Sequence, residues 1–208
     1  SGINILLSTY SQQDDIIIGS PVAGRPDPDL EQMIGMFVNT LAMRNNPTGD
    51  KSFLEFLEEV KENALAAFQN QDYQFEELIE KLDLNREMDR NPLFDVMFAL
   101  QNIDQEPLEL DELTISPYQY QQTTAKFDLT IFVNLADGIN LNIEYSTQLF
   151  KTETIERIVT HLEKVLEEIT AEPNILLKNI EMITIEKKEK MLYEYNQTVT
   201  DYPADKTI

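Results

Sequence analysis

The sequence predicts a mixed α/β domain, a sheet flanked by helices, and three observations predict it. Residues 52–69 and 152–169 each repeat apolar side chains every three to four positions, the period of an amphipathic helix. Short apolar runs at 16–18 and 94–102 fall between helical stretches, as buried strands do. On either side of Asp137-Gly138 two segments alternate apolar and polar residues, which predicts a hairpin and so at least one antiparallel pair.

Taken in order, the chain opens on "INILLSTYS", a helix of about three turns that is marginal alone and must pack or continue upstream. Ile16 to Ile18 read as a short buried strand, and Gly19, Pro21, Gly24, Pro26 and Pro28 predict a loop after it. Asp29 is placed to cap a short helix through Met33. "IGMFVNTLAMR" then reads as a strand whose Phe37, Val38, Leu41, Ala42 and Met43 belong inside, interrupted by the polar pair Asn39-Thr40. In the helix at 52–69, Phe53, Phe56, Leu57, Val60, Ala64 and Phe68 form the buried stripe. A shorter helix spans 75–82, and Arg90-Asn91-Pro92 breaks the pattern before the strand at 94–102.

Residues 105–122 are acidic and then Gln- and Tyr-rich, a long excursion with one short strand at 113–115. In the hairpin, Phe127, Leu129, Ile131, Val133 and Leu135 alternate with Asp128, Thr130 and Asn134, and Ile139, Leu141, Ile143 and Tyr145 alternate with Asn140, Asn142, Glu144 and Ser146. Phe132 on the polar side predicts partial cover there. The helix at 152–169 buries Ile155, Ile158, Leu162, Val165, Leu166 and Ile169. "IEMITIEKKEKMLYEYN" predicts a brief strand and a short helix before an open tail. The domain is expected over 1–183, with 184–208 as a linker.

Composition narrows the function. Hydrophobic residues make up 42%, enough for a sizeable core. Lys and Arg total 16 against 38 Asp and Glu, a formal charge of -22 that repels phosphate backbones and anionic lipids, so neither nucleic acid nor membrane is an expected partner. There are no cysteines, hence no disulfide or thiolate nucleophile, consistent with a cytoplasmic location. No apolar run is long enough to span a bilayer. The single histidine, His161, sits at the flank of an apolar helical stripe with no Ser or Asp pattern marking it as a base, and no metal-ligand spacing occurs. "GSPVAGRP" lacks the spacing of a phosphate loop, and its Arg25 is expected to pair with a carboxylate. The residues alone reveal no self-sufficient catalytic set.

Three stretches together resemble the later motifs of condensation domains from nonribosomal peptide synthetases. "IGMFVNTLAMR" matches the family pattern at Ile34, Gly35, Phe37, Val38, Asn39, Thr40 and Arg44. "NQDYQFE" matches at Asn70, Gln71, Asp72, Phe75 and Glu76, with Gln74 where the family has Pro. "REMDRNPLF" matches at Arg86, Arg90, Asn91, Pro92, Leu93 and Phe94, with Glu87 and Asp89 replacing the family's Asp and Ser. "DDIIIGSPVAGRP", "KFDLTIFV" and "EYSTQLF" match further, and the tail resembles the junction to an adenylation domain. The catalytic signature of the family, His-His-x-x-x-Asp-Gly, occurs nowhere in the chain.

The resemblance implies a chloramphenicol-acetyltransferase-like αβ sandwich, the C-terminal lobe of a two-lobed domain that joins a carrier-bound acyl or peptidyl thioester to a carrier-bound amine. It implies no catalytic residue in this chain and no activity alone. Gly35, Phe37, Asn39, Thr40 and Ser146 would line the floor or wall of the substrate tunnel. Arg25, Arg44, Gln71, Asp72, Phe75, Arg90, Asn91 and Pro92 would be structural, with Arg25 reaching the signature Asp of the other lobe. No cofactor is bound covalently; the phosphopantetheine arms belong to partner carrier domains. Expected partners are the N-terminal lobe, upstream and downstream carrier domains and an adenylation domain. The alternatives are a docking module without catalysis, or half of a heterocyclization or epimerization relative.

Overall fold

The computed structural model describes residues 1–25, 27–30, 32–84, 90–101, 124–135 and 138–197. Helices α1 (Gly2–Ser11), α2 (Phe53–Gln69), α3 (Phe75–Lys81), α4 (Thr152–Ala171) and α5 (Ile185–Glu189) accompany strands β1 (Ile16–Val22), β2 (Asn39–Asn45), β3 (Val96–Gln101), β4 (Leu129–Asn134) and β5 (Asn140–Tyr145). The expected strand at 113–115, the excursion around it, Asp137 of the hairpin turn and the tail beyond 197 lie outside the described residues.

The five strands form one mixed sheet in the order β2-β1-β3-β4-β5. β1 runs antiparallel to β2 and parallel to β3, β3 runs parallel to β4, and β4 and β5 make the antiparallel pair predicted from alternation. One face carries Ile18, Phe98, Leu129, Ile131, Val133 and Ile143. Leu6 of α1 and Ile155, Ile158 and Leu162 of α4 close on β4 there. A second cluster joins Ile5, Phe56, Val165, Ile169, Ile175 and Leu177, so α2 meets α4 through Phe56, which is 0% exposed. The start of α2 is fixed locally. Ser52 accepts from the Glu55 amide while the Glu55 carboxylate accepts from Ser52 N, a reciprocal cap.

Several expectations change. β1 runs on to Val22, so Gly19 and Pro21 lie within a strand and not in a loop. Gly19 is needed because the Phe94 ring occupies the space of a side chain, 2.2 Å from where its Cβ would be. Gly24 does serve the following turn, with φ +63 and the Phe37 carbonyl pressed against it. Asp27, not Asp29, caps the short 3₁₀ turn Pro28–Leu30, its carboxylate accepting from the Asp29 amide. β2 begins only at Asn39; Ile34, Met36 and Val38 ahead of it are exposed, and Phe37 is half-buried. Residues 180–184 form no strand, because Ile180 and Met182 pack onto the helical cluster without a ladder partner.

Candidate functional site

Neighbouring residues on a strand point to opposite faces, and this separates Asn39 from Thr40. Asn39 shares its face with Leu41, Met43 and Ile18, on the side of α2. Its side chain is buried, and every hydrogen-bonding site on it is filled. Nδ2 donates to the carbonyls of Gln71 (2.8 Å) and Tyr73 (2.9 Å). Oδ1 accepts from the amides of Thr40 (2.8 Å) and Phe75 (3.2 Å). Two donors and two acceptor positions are all that an amide side chain offers. Asn39 therefore ties β2 to the connection between α2 and α3, joining the first motif to the second.

Phe75 carries the linkage onward. Its ring lies 5.5 Å from that of Phe94, which in turn lies 5.7 Å from Phe127. Phe94 is buried at the foot of β3 and occupies the gap left by Gly19. Asn91 shapes the approach: its Oδ1 accepts from the Leu93 and Phe94 amides, an Asx-type turn around the half-buried Pro92. Arg90 forks onto the carboxylate of Asp95, with Nε 2.7 Å from Oδ1. Arg44 forks in the same way onto Asp15 at 2.8 and 2.7 Å, holding that carboxyl below its usual range. Asp128 is pushed up by burial and by nearby Asp95, with Arg90 acting against both. Asp72 is exposed.

Arg25 departs from expectation. Among the described residues it meets no carboxylate; it donates to the Leu30 carbonyl and, at 3.4 Å, to the Gly35 carbonyl, and its guanidinium sits 4.2 Å above the Phe37 ring. It braces the exposed loop that precedes β2.

The other face of the sheet points away from α1, α2 and α4. Strand alternation and register place Thr40, Ala42, Met97, Ala99, Gln101, Thr130, Phe132, Asn142 and Glu144 on it. Thr130 is buried there, in line with the cover that Phe132 predicts. Toward β5 the face is hollowed by a concavity of about 550 Å³ lined by Gln101, Phe132, Asn142, Glu144 and Thr147 among others. Ser146 ends the hairpin just past β5, half-buried, its amide donating to the Asp128 carbonyl at 3.0 Å.

His161 lies elsewhere, on α4, where Nδ1 is 2.9 Å from the Tyr10 hydroxyl. Burial and the charges of Lys187 and Arg157 lower its pKa. Among the described residues no three His, Cys, Asp or Glu side chains converge to hold a metal. The structure thus gathers Asn39, Gln71, Phe75, Asn91 and Pro92 into one knot, which Thr40 joins only through its amide, and leaves Ser146 outside it. Sequence reasoning missed the centre of that knot, Phe94 packed on Gly19; a glycine within the apolar run after Ile18 was the available signal.

The condensation-domain family model matches residues 1–192. Bacitracin synthase 3 of Bacillus licheniformis is 51% identical over 205 residues, covering 98% of this chain and 3% of that protein. Among solved structures, a four-domain nonribosomal peptide synthetase superposes with a TM-score of 0.80 at 22% identity, over 90% of this chain and 15% of that one. The starter condensation domain of rhizomide synthetase superposes with a TM-score of 0.71 at 16% identity, over 88% of this chain and 44% of that one. The shared fold is the chloramphenicol-acetyltransferase-like αβ fold, a mixed sheet with flanking helices. With the family matched over most of its length and a relative half identical across nearly all of it, this chain belongs to the condensation-domain family of nonribosomal peptide synthetases.

Proposed function

We propose that the chain is the C-terminal lobe of a condensation domain that joins a carrier-bound donor acyl or peptidyl thioester to the amine of a carrier-bound acceptor amino acid. In that reaction the neutral amine attacks the thioester carbonyl, a C–N bond forms, the C–S bond breaks and the donor carrier's thiol leaves. The step needs a group that manages the amine proton and donors for the tetrahedral oxyanion. This lobe supplies neither the base nor the signature that carries it. One observation supports the division of labour: Asn39, the buried polar residue of the first motif, is saturated by backbone groups and so has no free donor or acceptor for a substrate.

On this reading the sheet face bearing Thr40, Phe132 and Glu144 is a wall of the substrate tunnel, with Ser146 at its end. Gly35 and Phe37 belong to the tunnel floor, and Asn39 holds that floor in position from behind. Arg25 keeps N–H groups beyond the two that meet Leu30 and Gly35, and these reach the signature Asp of the N-terminal lobe. The phosphopantetheine arms of the upstream and downstream carrier domains deliver the substrates, an adenylation domain is the neighbour, and the assembly works in the cytoplasm. The described residues contain no helix long and apolar enough to cross a membrane.

The gene of the parent synthetase tests this reading. A His-His-x-x-x-Asp-Gly sequence is expected upstream of the segment encoding Ser1. An open reading frame without it would sink the catalytic reading and leave a docking module.

A further inference from the structure

The sheet face turned away from α1, α2 and α4 carries little charge. Of the side chains that β1 to β5 place on it, only Arg44 and Glu144 are charged. Arg44 is held by Asp15. Glu144 is half-buried, and among the described residues it has neither an ion pair nor a hydrogen bond. Taking a carboxylate partly out of water costs free energy that a neighbouring cation offsets. The Glu144 side chain instead lines the concavity of about 550 Å³. By register Glu144 pairs with Thr130 and Asn142 with Phe132, so Phe132 is the diagonal neighbour of Glu144 on this face. Phe132 gives an apolar surface beside the carboxylate, and Gln101 and Asn142 add neutral amides. An aromatic floor with one unpaired carboxylate at its edge fits a short aliphatic chain that ends in a cation.

We propose that Glu144 is a specificity-determining residue that binds the side-chain ammonium of a carrier-bound amino acid of the lysine type, while Phe132 packs on its methylenes. The inference rests on the condensation-domain reading, under which this face is a wall of the substrate tunnel, and it names a substrate class for that site. The α-amine that attacks the thioester is not the partner. It must be neutral to react, and a carboxylate beside it would hold it protonated. A side-chain ammonium keeps its charge throughout the reaction, so one pairing serves from binding to product. The formal charge of -22 adds a general attraction for such a cation.

The test gives the whole condensation domain lysyl- and norleucyl-loaded carriers in equal amounts and follows both amide products by mass spectrometry. One arm varies the acceptor against a fixed neutral donor, and the other varies the donor against a fixed neutral acceptor. The arm that discriminates identifies which substrate carries the cation. Norleucine has the carbons of the lysine side chain without the ammonium, so the product ratio isolates the charge. Loss of active protein cancels from a ratio taken within one preparation. Wild type is expected to favour lysine at least about tenfold in one arm, Glu144→Gln to lose that preference and Glu144→Lys to reverse it. Equal ratios in wild type and Glu144→Gln in both arms overturn the proposal. Slowing of both products by Glu144→Gln at an unchanged ratio assigns the carboxylate to a contact within the domain and overturns it too. Binding of lysyl and norleucyl pantetheine amides, followed by NMR titration, is read separately from turnover. A wild-type domain that makes no amide from any pair removes the condensation reading. A lysyl preference in binding that Glu144→Gln abolishes then leaves this inference standing, and equal binding of the two amides overturns it.

Discussion

Asn39 is 5% exposed on a strand whose preceding residues Ile34, Met36 and Val38 face solvent, the reverse of what side-chain polarity alone would assign. The inversion holds because backbone groups 32 to 36 residues away satisfy the amide. Asn39→Asp removes both donors and sets a carboxylate against two carbonyls. Urea denaturation of the variant is expected to show a loss of about 3 kcal/mol; an unchanged midpoint would contradict the assignment. Gly19→Ala drives a methyl into the Phe94 ring and is expected to cost about 1–3 kcal/mol. Phe94→Leu in the same chain should recover part of that loss, so a double-mutant cycle without coupling would count against the contact. The sequence displayed Asn39 as a residue out of pattern and placed Gly19 in a loop. Their partners were illegible, because no local rule links β2 to a turn beyond α2.

At the scale of elements, the helices were legible and one strand was not. Periodicity placed α2 and α4 within two residues of their observed ends, since apolar spacing and the Ser52–Glu55 cap are local properties. Residues 180–184 carry strand-like alternation, but strand identity requires a ladder partner, and Ile180 and Met182 find helices instead. The contact between α1 and α4 adds a titration. His161 accepts the Tyr10 hydroxyl bond in its neutral form, and its folded pKa lies below the unfolded value near 6.5. The unfolded chain therefore binds the proton first, so this contribution is complete above about pH 6.5 and fades as pH falls below it. Between pH 7.5 and 5.5 wild-type stability should fall more steeply than that of His161→Gln. Parallel slopes would remove the histidine from the account.

For the whole molecule, the α/β class could be read from alternating element types, and the β4–β5 hairpin from its turn. The strand order β2-β1-β3-β4-β5 could not, because the parallel pairs join segments far apart in sequence. Nor could sequence say which face of the sheet the motifs serve. The structure shows Asn39 turned from the face that carries Thr40, while the Phe94 ring fills the space over Gly19, which by register shares the face of Ala42 and Met97. In the proposed function, this chain shapes a reaction whose proton-handling group lies outside it. The most direct measurement supplies loaded donor and acceptor carriers to the 208-residue chain and, in parallel, to the whole condensation domain, and follows amide product. Product is predicted from the whole domain and none from the 208-residue chain. Turnover by the chain alone would contradict the account.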